Sequence, residues 1–128
     1  LGVLGVVVLG TFVVGAVRME PSLEGITQRR TVLVDAAAVV NTDTAGRDCE
    51  IRTSYQPQLT WYTECASYLF KEPVPSGPNA YLVVFENGKR QPTGDALAAE
   101  REAAGGTAIA TVDDPYDRIG DGEICRYP

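Results

Sequence analysis

Residues 49–65 read CEIRTSYQPQLTWYTEC and carry the clearest strand pattern in this chain. Less polar side chains alternate with more polar ones on both sides of Pro57, at positions 49, 51, 53 and 55 and again at 59, 61, 63 and 65. Alternation with a period of two is typical of half-buried antiparallel strands. The sequence therefore predicts two strands that fold back on each other about Gln56-Pro57-Gln58.

This hairpin predicts a disulfide. In a register that is symmetric about Pro57, Cys49 lies opposite Cys65, at a distance that suits a disulfide bridge. The alternative is a pair of reduced, buried cysteines. A disulfide implies an oxidising compartment. The chain has three cysteines, so Cys125 remains and is expected to pair with another chain or with one of the first two.

Strand patterns also occur outside this hairpin. Thr31–Val40 is rich in valine, and its even-numbered positions are expected to lie on one side of a strand. Ala80–Glu86 contains YLVVF and precedes Asn87-Gly88, a pair typical of tight hairpin turns, after which the chain is expected to return through Lys89–Gln91. Thr107–Val112 is expected to be the last strand.

One short helix is predicted in the body, over Ala96–Ala104. Asp95 can cap its start, and two glycines follow its end. The predicted fold class is therefore mainly β: a small antiparallel sheet or sandwich with one short helix, preceded by an N-terminal hydrophobic segment that is expected to be helical.

The N-terminal residues 1–17 read LGVLGVVVLGTFVVGAV, with no charged side chain, and Arg18 follows them. Seventeen apolar residues are near the shortest length that spans a bilayer as a helix. Three interpretations are open: a membrane anchor, an arm packed inside a filament or oligomer, and a buried strand of the core. The predicted organisation is an anchor or assembly arm at 1–17, a linker at 18–30 and a β-rich domain at 31–128.

The segment Leu1–Val17 resembles the mature N-terminus of type IV pilin-like proteins, in which a processed chain opens directly into an apolar run. That resemblance implies a filament subunit that assembles through its N-terminal arm. Under either of the first two interpretations, Leu1–Val17 contacts the membrane or other protein subunits, and the protein is expected to form a homo- or hetero-oligomer.

Composition argues against several functions. The formal net charge is −6, and an acidic protein repels phosphate, so nucleic-acid binding is not expected. The chain has no histidine, which removes the usual general base of serine and cysteine nucleophiles and the commonest zinc ligand. No coherent set of acid, base and nucleophile is present. The sequence therefore predicts no catalytic residues and no enzyme activity.

An acidic segment near the C-terminus is the candidate metal site. Five carboxylates separated by glycines fall between positions 113 and 123, and such loops can supply the oxygen ligands of calcium. They belong to Asp113, Asp114, Asp117, Asp121 and Glu123. The main interpretation is a turn balanced by Arg118 and Arg126 without a metal, and calcium is the alternative.

The same region resembles the Excalibur motif, an extracellular calcium-binding module of bacterial surface proteins. The similar parts are AEREAAG at 99–105, Asp114-Pro115-Tyr116 and GDGEIC at 120–125. The resemblance implies calcium as a cofactor and a place at the cell surface.

Together these observations predict a non-enzymatic structural or accessory subunit. It is expected to be anchored in a membrane, or embedded in an assembly, through its N-terminal segment, and to carry an extracytoplasmic β domain that contacts partners. The alternatives are a pilin-like filament subunit and a calcium-dependent cell-surface module.

Overall fold

The computed structural model describes residues 26–75 and 79–128. In these residues the chain forms one mixed sheet of five strands with three helices. The strands are β1 (Glu50–Arg52), β2 (Ala66–Tyr68), β3 (Ala80–Phe85), β4 (Ala108–Val112) and β5 (Gly122–Arg126). The helices are α1 (residues 26–44), α2 (Gln56–Thr63) and α3 (Gly94–Ala103).

The sheet is mixed rather than antiparallel, and the described residues contain three helices, so the predicted class, mainly β with one short helix in the body, is wrong on both points. Its strand order is β2-β1-β3-β5-β4. β1 pairs in parallel with both β2 and β3, whereas β5 lies antiparallel between β3 and β4. Parallel neighbours need a crossover connection, and α2 supplies it between β1 and β2.

The predicted strand at Thr31–Val40 is instead part of α1. Its buried side chains recur at helical spacing, and they belong to Val32, Leu33, Ala36, Ala37, Val40 and Thr44. Val34, which the strand prediction placed with Val32, is 39% exposed. Helix is favoured here because three consecutive alanines have high helix propensity and the buried stripe fits against the sheet. The helix also includes residues 26–30, from the predicted linker.

The predicted hairpin at 49–65 is also wrong. Its first half forms only the short strand β1, and its second half is the helix α2. Pro57 lies in the first turn of α2, where its missing N–H costs no hydrogen bond and its fixed φ favours a helix. The disulfide prediction is nevertheless confirmed, because Cys49 and Cys65 are joined. They meet because they immediately precede β1 and β2, which are parallel neighbours.

The strand at 80–85 and the turn after it are confirmed, but the chain does not return as a strand. Gly88 donates its N–H to the Phe85 carbonyl oxygen at 3.2 Å. The Gln91 side chain then takes the place of a neighbouring strand. Its Oε1 accepts from the Phe85 N–H at 3.1 Å, and its Nε2 donates to the Phe85 carbonyl.

The sequence placed the helix α3 and the strand β4 close to their observed positions and missed β5. α3 starts at Gly94, with Thr93 as its N-cap rather than Asp95. β5 begins inside the acidic segment at 113–123, for which no strand is predicted, yet it is an interior strand that pairs on both sides. The sheet therefore depends on the C-terminal residues for its cohesion.

Buried side chains cover both faces of the sheet. On one face, α1 and α2 pack on a cluster that includes Ile51, Tyr81, Val83, Phe85 and Ile124. On the other, α3 and the C-terminal residues cover Leu82, Val84 and Cys125. No helix in the described parts of the chain is long and apolar enough to cross a membrane. The predicted anchor at 1–17 lies outside those parts.

One buried ion pair fastens α3 to the sheet. Arg52 of β1 is 4% exposed, and its guanidinium donates to both carboxylate oxygens of Glu100, at 2.9 and 3.0 Å. The same group donates to the carbonyl oxygens of Phe70 and Glu72, at 2.9 and 2.7 Å. A buried guanidinium is stable only when its donors are matched in this way. Arg52 therefore also fixes the course of the chain after β2.

Candidate functional site

The single tryptophan of the chain lies on the surface. Trp61, in the last turn of α2, is 82% exposed, the largest exposure among the big hydrophobic side chains in the described residues. A tryptophan side chain has a large apolar area, and its burial is one of the strongest contributions to a protein interface. This exposure marks α2 as a candidate binding element.

Trp61 borders two clefts. The larger, of about 860 Å³, lies between the end of α1, the segment 46–50 and the end of α2. The smaller, of about 540 Å³, is lined by Gln56, Pro57, Thr60, Trp61 and Glu64. Trp61 and Glu64 border both clefts. We call Trp61 with these two clefts the Trp61 surface.

The disulfide braces this surface. Cys49 lines the larger cleft, while Cys65 is buried beneath α2 in the hydrophobic core. The Cys65 N–H donates to the Thr63 hydroxyl at 3.1 Å, and the Ala66 N–H donates to the Cys49 carbonyl at 3.1 Å. The bridge and these bonds tie the carboxyl end of α2 to the starts of β1 and β2. Trp61 therefore projects from a rigid base.

Side-chain bonds join α2 to its neighbours on either side. Asn41 of α1 donates its amide to the Tyr62 carbonyl oxygen at 3.1 Å. On the opposite side, Gln56 donates to the Ser67 carbonyl oxygen of β2 at 2.9 Å, and the Thr60 and Ser67 hydroxyls bond to each other. Such contacts hold an eight-residue helix whose own length gives little stability.

Glu64 ends α2 in an unfavourable conformation. It is the C-cap, with a φ of 63° and its N–H donated to the Thr60 carbonyl at 2.9 Å. This left-handed region suits glycine and costs other residues about 1–2 kcal/mol. A negative charge at a helix C-terminus is also unfavourable. Glu64, which borders both clefts, therefore has an unfavourable backbone conformation and an unfavourable charge.

Arg47 has a structural role at the end of α1. Its Nε donates to the Thr44 carbonyl oxygen at 2.8 Å, and its NH2 group donates to the Asp43 carbonyl oxygen at 3.0 Å. The guanidinium thus satisfies carbonyl groups that the helix leaves unpaired, at the end where a positive charge is favourable.

Asp114 organises the acidic loop. Its Oδ2 accepts N–H groups from Arg118, Ile119 and Gly120 at 2.7–3.0 Å, and its Oδ1 accepts from Tyr116 at 3.2 Å. Burial opposes ionisation of this carboxyl, but the four backbone N–H groups outweigh burial and hold its pKa below the usual 3.8. Asp114 thus acts as an internal acceptor for its own loop.

The other predicted metal ligands do not gather around Asp114. Asp121 accepts the Asp114 N–H through Oδ1 at 2.8 Å, whereas Glu123 lies on β5 and pairs with Arg101 of α3 at 3.1 Å. Asp113 and Asp117 are exposed. Within residues 26–75 and 79–128, no three His, Cys, Asp or Glu side chains converge as metal ligands would. Calcium binding in this segment stays a prediction.

The arginines expected to balance the acidic turn contact α1 instead. Arg118 donates its Nε to Gln28 Oε1 at 2.7 Å. Arg126 donates to both carboxylate oxygens of Asp43, at 3.0 and 3.2 Å. These bonds fasten the C-terminal segment to the first helix, so the proposed charge balance within the loop is wrong.

Cys125 is buried as a free thiol in β5. Burial raises its pKa to about 11, and the neighbouring Glu123 carboxylate adds to the shift. The thiolate is the reactive form, so burial and the raised pKa both disfavour reaction of Cys125 at neutral pH, and its pairing with another chain stays a prediction. It is bonded neither to Cys49 nor to Cys65.

The sequence pattern grouped Trp61 with the less polar positions of a half-buried hairpin, so the exposed surface was not predicted. The available signal was Pro57, four residues earlier, which is typical of a helix start. A helix at 56–63 buries Leu59 and Thr63 on one side and turns Trp61 to solvent. Comparison of the chain with protein-family models, curated proteins and solved structures finds no match.

Proposed function

We propose that this protein is a non-enzymatic accessory subunit that recognises a partner protein through the Trp61 surface. Its N-terminal segment at 1–17 holds it in a membrane or an assembly, and its folded body lies outside the cytoplasm. The observation that carries the proposal is the 82% exposure of Trp61 on a disulfide-braced helix. A rigid aromatic side chain on a fixed base is typical of interaction hot spots.

The disulfide supports the extracytoplasmic location. Bridges between cysteines persist in oxidising compartments and are rare where glutathione and thioredoxin keep thiols reduced. The uncharged run at 1–17, followed by Arg18, supports attachment. The described residues offer no catalytic constellation at the Trp61 clefts, whose lining lacks an acid, base and nucleophile in contact.

Attachment is tested by fractionating cells that express the full chain or a chain lacking residues 1–17. We expect the full chain with membranes or in a large assembly, and the shortened chain as a soluble folded protein. Recovery of both in the same soluble fraction would contradict attachment through this segment.

Partner recognition is tested by the size of native particles in mild detergent. We expect Trp61→Ala to reduce the particle to a smaller species. Tyr116→Ala is the matched control, because Tyr116 is also an exposed aromatic residue, at 51%, but lies in the acidic loop. Particles of equal size for wild type and Trp61→Ala would overturn the proposal.

A pilin-like filament subunit is the second candidate. The observation that favours it is α1, because the chain that follows the apolar segment is helical from residue 26 rather than extended. Electron microscopy of native material separates the candidates. A filament subunit pellets as polymer after detergent extraction, whereas an anchored accessory subunit is recovered as discrete particles.

A further inference from the structure

The geometry of the Trp61 surface points to one partner chemistry: a cation carried by an arginine or lysine side chain of the partner protein. This inference rests on the proposed function, because it names what the surface recognises. The face of an indole ring attracts cations more strongly than that of tyrosine or phenylalanine. Since Trp61 is 82% exposed, its ring is accessible to such a group.

The charges around Trp61 complement a cation. The carboxylates of Asp48 and Glu64 line the larger cleft, together with the guanidinium of Arg47. Arg47 is engaged with the carbonyl groups at the end of α1. Glu64 borders both clefts, so a cation in either cleft has this carboxylate as a neighbour.

The helix ends provide an independent argument. The last turns of α1 and α2 both border the larger cleft, and the carboxyl end of a helix carries a partial negative charge. At the end of α1, the Arg47 guanidinium interacts with this partial negative charge. α2 has no basic residue in its last turn and ends on Glu64. The fold thus supplies a guanidinium to the end of α1, whereas the end of α2 receives only the neutral Asn41 amide, on the Tyr62 carbonyl oxygen.

A neutral saccharide is the competing ligand, because sugar rings also stack on exposed aromatic side chains. Such a ligand gains no charge interaction from Glu64 or from the end of α2. A cation uses the indole face, the carboxylates and the helix end together. The observed arrangement therefore favours the basic segment, and the saccharide becomes an outcome of the test.

Trp61 is the only tryptophan of the chain, so intrinsic tryptophan fluorescence reports on this surface alone. The full chain in neutral detergent is titrated with a short alternating Arg-Gly peptide, acetylated and amidated. The same peptide with glutamate in place of arginine is the control. We expect a saturable change in Trp61 emission with the arginine peptide only, and weaker binding as salt is raised.

Variants assign the interaction to named groups, with calorimetry as the readout because some lack the fluorophore. We expect Trp61→Leu, which keeps an apolar side chain without a π face, to weaken binding about fivefold. We expect Glu64→Gln to weaken it about threefold. Glu102→Gln removes the same charge from an exposed position on α3 and is expected to bind as wild type.

Equal losses for Glu64→Gln and Glu102→Gln would overturn the inference, because binding would then follow net charge alone. An unchanged emission with the arginine peptide, or a saturable change with a soluble N-acetylglucosamine oligomer instead, would also overturn it. Neither result affects the proposed recognition of a partner through the Trp61 surface, which fails if Trp61→Ala leaves the native particle intact.

Discussion

At the scale of single residues, Asp114 shows how one carboxylate can order a loop. Four backbone N–H groups point at it, and two of them belong to the buried residues Ile119 and Gly120. Removal of the acceptor leaves buried donors unpaired, which costs about 1–3 kcal/mol. We expect Asp114→Ala to lower the free energy of unfolding by about 2–3 kcal/mol, measured by urea denaturation.

Asp113, the exposed neighbour of Asp114, provides the control, and the pH dependence of stability provides a second readout. Asp113→Ala is expected to change stability little. Because the folded-state pKa of Asp114 is depressed, its contribution is present above pH ~4 and is lost as pH falls through the folded value. The stability difference between wild type and Asp114→Ala should therefore shrink in acid. A difference that does not depend on pH would contradict this account.

Glu64 is predicted to lower the stability of the fold while strengthening binding of the arginine peptide. Replacing it with glycine relieves the left-handed φ of 63° and removes a negative charge from the end of α2. Glycine also gains entropy in the unfolded chain, which offsets part of this benefit. We expect Glu64→Gly to raise the free energy of unfolding by about 1 kcal/mol, while weakening binding of the arginine peptide.

Arg90→Gly separates the two contributions, because Arg90 is exposed, has a φ of 59° and lies outside the Trp61 surface. Arg90→Gly should raise the free energy of unfolding by relieving the left-handed backbone alone. It should not change binding of the arginine peptide. Destabilisation by Glu64→Gly alongside stabilisation by Arg90→Gly would show that the Glu64 side chain itself stabilises the fold.

At the scale of elements, the disulfide determines how firmly α2 is held. It closes a loop with a sequence separation of 16 residues, for which a cross-link stabilises by about 3 kcal/mol through the unfolded chain. We expect the double variant Cys49→Ala, Cys65→Ala to unfold at a lower urea concentration than wild type. Reductant should lower the wild-type midpoint and leave that of the variant unchanged. Equal effects of reductant on both would contradict the assignment.

The same disulfide shows how far sequence reasoning reached. The pairing of Cys49 with Cys65 was correct, but for a hairpin that does not exist. In a segment this short, Leu59 and Thr63 belong both to an alternating series and to one face of a helix, so the neighbours decide between strand and helix. At 56–63 the proline in the first turn favoured the helix. Because the predicted hairpin grouped Trp61 with the less polar positions, the candidate site could not be predicted.

The structure of residues 26–44 and 122–126 likewise depends on the elements that pack against them. In α1, Val32, Ala36 and Val40 belong to both a period-two series and a helical stripe, and only packing against the sheet selects the stripe. β5 combines acidic and apolar side chains because one of its faces meets the core and the other meets Arg101 of α3. The acidic residues at 113–123 therefore gave no indication that residues 122–126 form a strand between β3 and β4.

At the scale of the whole molecule, three titratable groups on both faces of the sheet link stability to alkaline pH. Burial, with the hydrogen bond to Asp43, raises the pKa of Tyr81 to about 12. Burial also raises the pKa of Tyr127 to about 12 and that of Cys125 to about 11. All three groups ionise more readily in the unfolded chain than in the folded one. The folded state therefore binds more protons between pH ~9 and ~12.

We expect these three groups to leave the free energy of unfolding unchanged below pH ~9 and to lower it above pH ~9, as measured by urea denaturation at successive pH values. Tyr127→Phe tests the cause. The Tyr127 hydroxyl is buried without a hydrogen-bond partner among the residues the structure describes, so its removal costs nothing at pH 7 and makes the alkaline fall less steep. Tyr81→Phe also makes it less steep but loses the bond to Asp43, so it is less stable at pH 7. An alkaline fall as steep in both variants as in wild type would show that these tyrosines are not its source.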